Sequence, residues 1–293
     1  MSGRFTVAAI GCSGAVASPF VHGFGKEGVA LRILAREPAS VRERYPEVEV
    51  IEGSMMDAQD VARAVAGVDA AFLVTPMGLN DDPASEIAAA RRVLQGMRDG
   101  GLRHLVYTSC LGVDRKQGVG ILDAKYAIER LIAESGIPYS ILRCGTYMED
   151  LFDPRLALLR NGRFLFPLRK DRRFTFTSQR DVPRFVVREL LPRGQVLGKA
   201  IDLVAPGTYS IIELEQLLSE AAGIPIAAPS RFPTFHVFRA LLPLFRWRND
   251  RMSSVIPLLA HFDRHGYLSP EPRGYEGQFE TVRLEEHLER LFR

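Results

Sequence analysis

The residues best suited to bind a ligand are two glycines near the amino terminus. Gly11 and Gly14 directly follow the apolar run FTVAAI at residues 5–10. Glycines in such a turn let backbone N–H groups approach a phosphate, and the amino end of the next helix adds partial positive charge. The spacing G-x-x-G-x-x-A differs from the usual G-x-G-x-x-G, and a tight turn that binds nothing is the alternative. We expect a pyrophosphate to be bound by the residues of this turn: Gly11, Ser13, Gly14, Ala15 and Val16.

Pro19 limits where the helix after this turn begins. A proline inside a helix costs about 3 kcal/mol, but in the first turn the N–H that it lacks would have no helical partner. The sequence therefore predicts a helix that begins at about Ala15 or Val16. Such a start leaves the amides of the loop free to face a phosphate.

Arg36 indicates which dinucleotide would bind. It follows the second apolar run, ALRILA at residues 30–35. An NAD enzyme usually has Asp or Glu at this position, whereas an arginine can pair with a 2′-phosphate. The residue therefore favours NADPH, although the adjacent Glu37 weakens the inference and a plain surface arginine is the alternative.

Short apolar runs alternate with helical patterns from residue 5 to residue 144. The runs are continuous rather than alternating, as in strands buried on both faces of a parallel sheet. The sequence thus predicts an α/β fold, a Rossmann-type doubly wound parallel sheet with a smaller C-terminal substrate-binding region. We assign residues 1–150, with 175–206 returning to them, to an NAD(P)-binding domain, and 151–174 with 207–293 to the substrate-binding region.

Composition and charge exclude several classes of protein. The net charge of +3, with both signs mixed along the chain, argues against nucleic acid as a partner. With neither a leader pattern nor a membrane-length apolar run, we expect a cytoplasmic protein that does not bind membranes. A homodimer is an open alternative to a monomer.

The cysteines and histidines give no metal signature. Cys12, Cys110 and Cys144 are far apart in sequence, and His261 and His265 have no third ligand nearby. We expect no metal. The three cysteines are expected at strand ends on one edge of the sheet, as small apolar fillers or, alternatively, as a redox-sensing cluster.

Several segments resemble the NmrA-like family of atypical short-chain dehydrogenases/reductases, which includes the isoflavone-reductase-like enzymes. The resemblance rests on GCSGAVA, LAREP, AGVDAAFLVTP, LRHLVYTSCLG and above all KYAIERLIAESGIPYSILRCGTYMEDL. It implies the Rossmann-type fold and an NADPH cofactor. The chain departs from the family in having Ser54 where an acidic residue is usual and Cys144 where a proline is usual.

The resemblance also implies where the chemistry occurs. Lys125 matches the lysine that the reductase branch places near the nicotinamide, where a lowered pKa would let it donate a proton or orient the cofactor ribose; an exposed helix lysine is the alternative. Tyr147 is a second candidate proton donor. Ligands in such sheets bind beyond the carboxyl ends of the strands. The remaining candidate cofactor-binding residues lie at those ends: Ser54, Met55, Thr75, Pro76, Thr108, Ser109, Cys144, Gly145 and Thr146.

The function predicted from these residues is reduction of a small aromatic or polycyclic metabolite by hydride transfer from NADPH. Two alternatives are open: a non-catalytic NADP(H)-binding redox sensor with a protein partner, and a redox-neutral cyclase or isomerase on the same fold.

Overall fold

The fold was analysed in a computed structural model of the chain. The structure describes residues 5–14, 17–75, 82–114, 116–151, 159–160, 163–164, 168–191, 197–226, 252–269 and 279–292. Ala15, Val16 and Pro76, three predicted cofactor contacts, lie outside the described residues.

The strands begin and end close to the apolar runs. In chain order they are β1 Thr6–Ile10, β2 Ala30–Ala35, β3 Glu49–Glu52, β4 Ala70–Leu73, β5 Leu105–Cys110, β6 Tyr139–Cys144, β7 Thr146–Tyr147, β8 Leu159–Arg160, β9 Arg163–Phe164, β10 Arg173–Phe174, β11 Phe176–Thr177, β12 Lys199–Leu203 and β13 Tyr209–Ser210.

The helices fill the intervals between the strands. In chain order they are α1 Ser18–Lys26, α2 Pro38–Arg44, α3 Ala58–Val65, α4 Pro83–Asp99, α5 Gly120–Ala133, α6 Met148–Leu151, α7 Asp181–Phe185, α8 Ile211–Ala222, α9 Met252–His265 and α10 Leu284–Leu291. Helix α7 continues as a π-helical turn over Val186–Leu190.

The main sheet confirms the predicted fold class. Among the described residues it has seven strands in the order β12-β6-β5-β4-β1-β2-β3, and every neighbouring pair is parallel. The order reverses between β1 and β4, and that switch point is where an open α/β sheet binds its ligand. The turn that contains Gly11 and Gly14 therefore lies at the ligand-binding position of the sheet.

Apolar side chains cover both faces of this sheet. One cluster packs α1 and the α7 segment on the sheet through Phe20, Phe24 and Phe185. The cluster on the opposite face joins α3, α4 and α5 through residues such as Val61, Met97 and Ile128. Burial on both faces is the physical reason for the unbroken apolar runs of the strands.

A third cluster of buried apolar residues joins described segments of the C-terminal half of the chain. Met148, Phe174, Phe176, Leu214 and Leu284 belong to it, so that α8 and α10 pack together near the short strands β10 and β11. The predicted division of the chain into two regions stays a prediction. None of the described helices combines the length and apolarity needed to cross a bilayer.

Ala15 and Val16, where the sequence predicts that the first helix begins, lie outside the described residues. Helix α1 begins at Ser18, with Ala17 as its N-cap and Pro19 within the first turn. The Ala17 N–H donates to the Gly14 carbonyl at 3.2 Å, so that a tight turn precedes the first helical residue. The prediction that Pro19 is tolerated within the first turn was confirmed.

Candidate functional site

The turn after β1 is shaped by a close approach to β4. Gly11 has a φ of +79°, which disfavours any residue with a side chain, and a β-carbon on it would lie 2.0 Å from the Val74 carbonyl oxygen. Gly14 is exposed, and no described atom lies within 4 Å of the position of its β-carbon. Gly11 is therefore required by packing, whereas Gly14 leaves open space above the turn.

The amino end of α1 is open to an anion. Among the described residues, its N-cap Ala17 makes no side-chain cap, and its first turn has no acidic residue and contains Pro19. Uncapped N–H groups at a helix start are available for phosphate oxygens. Half-buried Ser13 lies between the glycines, so the described part of the turn fits a pyrophosphate.

Arg36 is placed as the 2′-phosphate prediction requires. It follows β2 directly, is exposed, and has no ion pair within the described part of the chain. A cation without a fixed partner at the carboxyl end of β2 remains available for a phosphate. Its role stays a prediction.

Ser54 and Met55 form the turn between β3 and α3 and are half-buried. The Ser54 N–H donates to Asp60 at 2.8 Å, and its hydroxyl accepts from the Met56 N–H at 3.1 Å. The Ser54 amide is therefore already used within the turn, which leaves the hydroxyl proton for an adenine or ribose contact.

Lys125 is buried, which rules out the alternative of an exposed helix lysine, and its catalytic role stays a prediction. Only 3% of it is exposed, and its ammonium lies 2.9 Å from Glu86 Oε1, 2.7 Å from Thr75 Oγ1 and 3.0 Å from the Thr75 carbonyl. Burial by itself would lower the pKa of Lys125, but Tyr107 and Glu86 raise it above its ordinary value. The expectation of a lowered pKa was wrong, because a buried carboxylate stabilises the charged form.

Thr75 contacts this lysine rather than a ligand. Its hydroxyl donates to Glu86 Oε1 at 2.7 Å and lies 3.0 Å from the Tyr107 hydroxyl, and 2% of the residue is exposed. Its side chain therefore has no remaining contact to offer, so any cofactor contact by Thr75 would use its backbone. The predicted contact of Thr75 with a cofactor stays a prediction.

Sequence reasoning missed Glu86 and Tyr107. Glu86 is 1% exposed and lies on α4 one helical turn before buried Ala90. An acidic residue on the apolar face of a helix was the available signal, since carboxylates are rarely buried without a partner. No signal in the sequence joined it to Lys125.

The predicted residues at the end of β5 are buried. Thr108 Oγ1 donates to the Leu73 carbonyl at 3.3 Å. Ser109 Oγ is buried and has no hydrogen-bond partner among the described residues, and the same holds for Glu86 Oε2. Unsatisfied buried polar atoms are uncommon, and a bound ligand or water is the ordinary explanation.

Tyr147 and its neighbours form the segment after β6. The Gly145 N–H donates to Thr177 Oγ1 at 2.8 Å and the Thr146 N–H to the Thr175 carbonyl at 3.0 Å. A β-carbon on Gly145 would lie 2.4 Å from that carbonyl, so close packing requires this glycine. Both amides donate within the protein, and the predicted contacts of Gly145 and Thr146 with a cofactor stay predictions.

Tyr147 itself keeps its proton. It is half-buried, with its ring edge-to-face with Phe20 at 5.8 Å between centroids. Burial raises the pKa of its phenol, and the Cys144 thiol raises it further. A raised pKa makes release of this proton harder, and the role of Tyr147 as a proton donor stays a prediction.

The cysteines behave as apolar fillers. Cys110 and Cys144 end β5 and β6 side by side, and Cys12 lies two residues beyond β1. All three are free thiols. Burial raises the pKa values of Cys12 and Cys144 to about 12, so that neither is a thiolate at neutral pH.

The two histidines of α9 line a separate cavity. Their rings, His261 and His265, lie 4.8 Å apart and face a cavity of about 570 Å³ that also contacts Arg143 and Asp202. Within the described ranges no group of three His, Cys, Asp or Glu side chains could hold a metal ion. This cavity shares no lining residue with the glycine turn.

These features together fit a dinucleotide at the switch point of the sheet. An open helix start, a free arginine at the end of β2 and two unsatisfied buried polar atoms lie on its ligand-binding edge. These are the protein groups that we expect to contact the nucleotide.

Solved structures share this fold over almost the whole chain. An NADPH-dependent quinone oxidoreductase from Escherichia coli, crystallised with NADPH, superposes with a TM-score of 0.78 at 19% identity, covering 98% of this chain and all of that one. A triphenylmethane reductase from Citrobacter gives a TM-score of 0.77 at 17% identity, covering 98% and 99%. At these identities the likeness concerns the fold.

Sequence comparison finds relatives among reductases. A (4-alkanoyl-5-oxo-2,5-dihydrofuran-3-yl)methyl phosphate reductase from Streptomyces griseus is 29% identical over 219 residues, which are 74% of this chain and 73% of the relative. An NAD(P)H azoreductase from Xenophilus azovorans is 23% identical and covers 74% of each chain. The NmrA-like family model matches residues 4–269. This chain therefore belongs to the NmrA-like family.

Proposed function

We propose that the protein is an NADPH-dependent reductase that transfers a hydride to a small aromatic or polycyclic metabolite. The observation that carries the proposal is the glycine turn at the switch point, with Gly11 packed against Val74 and no side chain capping α1. The relatives support it by name, since they include an NAD(P)H azoreductase and a quinone oxidoreductase crystallised with NADPH.

Arg36 supports NADPH as the preferred cofactor over NADH. Arg36 is exposed and has no ion pair among the described residues, so its guanidinium can bind a 2′-phosphate without breaking an existing ion pair. An Asp or Glu at this position would instead favour the ribose hydroxyls of NADH.

The reaction needs a hydride and a proton. Bound NADPH would supply the hydride. We place the proton donor elsewhere than Lys125, whose ammonium donates to Thr75 and is ion-paired with Glu86. Tyr147 or solvent water is left as the donor, and Tyr147 lies directly beyond β6 at the ligand-binding edge.

A flat, conjugated acceptor is the substrate class that we propose. The named substrates of the relatives include azo compounds, quinones and triphenylmethane dyes. Aromatic side chains occur beside the sheet edge, with Phe262 and Tyr267 4.5 Å apart between ring centroids. We propose that residues 151–174 and 207–293 supply the walls of the substrate pocket.

The cofactor proposal is tested by titrating the purified protein with NADPH and with NADH. We expect Arg36→Ala to weaken NADPH binding by about tenfold or more, equivalent to at least about 1.4 kcal/mol, and to change NADH binding little. Arg42→Ala is the matched control, since Arg42 is another exposed arginine of the same β2–α2 region. Equal weakening of both nucleotides by Arg36→Ala would contradict the 2′-phosphate contact.

A second candidate function is a non-catalytic NADP(H)-binding sensor that signals through a protein partner. The observation in its favour is that the ammonium of Lys125, the residue expected to donate a proton, is buried and contacts Thr75 and Glu86. The two functions are separated by incubating the protein with NADPH and a panel of quinones and azo dyes. A reductase consumes NADPH in proportion to the acceptor, whereas a sensor binds NADPH without consuming it.

A further inference from the structure

Four buried polar side chains from four elements form one cluster. Thr75 follows β4, Glu86 belongs to α4, Tyr107 to β5 and Lys125 to α5, and none is more than 3% exposed. A charged pair buried this deeply is costly unless hydrogen bonds offset the cost, and one carboxylate oxygen of the pair, Glu86 Oε2, has no partner among the described residues.

The ammonium of Lys125 contacts both Thr75 and Glu86 within the cluster. It donates hydrogen bonds to Thr75 Oγ1 and to the Thr75 carbonyl, and it is ion-paired with Glu86 Oε1 at 2.9 Å. Two of the three contacts are made to Thr75, so the lysine holds that residue by both its side chain and its backbone.

Thr75 is coupled to the glycine turn through its neighbour Val74. The Val74 N–H donates to the Ile10 carbonyl at 3.0 Å, and the Val74 carbonyl is the atom that a β-carbon on Gly11 would strike. Contacts therefore run without a break from Lys125 through Thr75 and Val74 to the turn.

We propose that Lys125 and Glu86 are positioning residues that hold Thr75, and through it the carboxyl end of β4, in the place that cofactor binding requires. The proposal rests on the proposed function for its ligand, NADPH. It assigns Glu86 a role that the sequence did not suggest. Glu86 supplies the negative charge that lets the Lys125 ammonium remain buried beside Thr75.

A matched pair at Thr75 tests the contact without leaving a charge unpaired. Thr75→Val removes the hydroxyl and keeps the shape, whereas Thr75→Ser keeps the hydroxyl. We expect Thr75→Val to weaken NADPH binding by about tenfold and Thr75→Ser to restore binding to within about twofold of the wild type. Equal NADPH affinity in Thr75→Val and the wild type would overturn the proposal.

The double variant Lys125→Met with Glu86→Gln removes both charges together. We expect this variant to bind NADPH about tenfold more weakly than the wild type. At saturating NADPH, with a quinone that the wild type reduces, we expect kcat to fall less than about threefold and the pH profile of kcat to be unchanged. A proton donor would behave in the opposite way, with kcat lower by about 10²–10⁴ at unchanged NADPH affinity, and that outcome would overturn the proposal.

Amide hydrogen exchange keeps the test independent of the cofactor. If the wild type binds no NADPH, the proposed function fails, but the hold on β4 is still measurable at the Val74 N–H, which is bonded to Ile10. Faster exchange at this amide in Thr75→Val than in Thr75→Ser supports the positioning role. Equal exchange in the two variants would overturn it.

Discussion

Gly11 and Val74 approach so closely that a β-carbon on Gly11 would lie 2.0 Å from the Val74 carbonyl oxygen. The two residues belong to the turns after β1 and β4, the neighbouring strands between which the order of the sheet reverses. The turn that we assign to the pyrophosphate is therefore seated on the backbone of the adjacent strand. The shape of the turn depends on Gly11, and the open space beside the turn depends on Gly14.

Gly11→Ala is expected to destabilise the fold. A residue with a side chain at positive φ costs about 1–3 kcal/mol, and the contact with Val74 adds to that cost. Gly28→Ala is the matched control, because Gly28 has a φ of +76° with no atom within 4 Å of its added β-carbon. Urea unfolding should show a larger loss of unfolding free energy for Gly11→Ala than for Gly28→Ala; equal losses would contradict the close approach.

Gly14→Ala is expected to spare the fold and weaken cofactor binding. No described atom lies within 4 Å of its added β-carbon, so the methyl group would occupy the space where we place the pyrophosphate. We expect NADPH affinity to fall by about tenfold with little change in unfolding free energy. Gly25→Ala, equally open and farther along α1, should leave NADPH affinity unchanged. Unaltered affinity in Gly14→Ala would place the phosphates elsewhere.

His104 is expected to make stability depend on pH below neutrality. Burial lowers the pKa of His104 from 6.5 to about 4, and its Nε2 lies 3.0 Å from Ser140 Oγ. The unfolded chain therefore binds this proton more tightly than the folded protein does. The contribution is fully present above about pH 6.5 and is lost as the pH falls towards 4, by up to about 3 kcal/mol.

His104→Gln isolates this contribution, since glutamine does not titrate and its amide can reach Ser140. The difference in unfolding free energy between wild type and variant should change steadily in favour of the variant as the pH is lowered. Guanidinium unfolding at several pH values measures it. A difference that is constant with pH would show that His104 is not buried in its neutral form.

Much of the fold was predictable because its signals are local. These signals depend on residues close together in the chain: the apolar runs of the strands, the end of α5 shortly before Gly136, and the N-cap of α3 at Asp57. The capping box between Ser210 and Glu213 likewise formed as its spacing predicts. The predicted doubly wound parallel sheet is confirmed, and its strand order is an observation of the structure.

The site was less predictable because its contacts join distant segments. Lys125 was selected by resemblance, but its environment comes from Thr75, 50 residues earlier, and from Glu86 on another helix. Gly145 was expected to face a cofactor, and its close neighbour is instead the carbonyl of Thr175. In neither case does the local sequence reveal the partner.

The signals for the fold act over a few residues, since they are hydrophobic periodicity, turn glycines and helix caps. The sequence alone was therefore sufficient to indicate a doubly wound sheet with a glycine turn after its first strand. The protonation of Lys125 and the use of the amides of Gly145 and Thr146 depend on which elements become neighbours. Burial and charge pairing arise only when the elements pack, because desolvation and Coulomb energy depend on distances in space rather than along the chain.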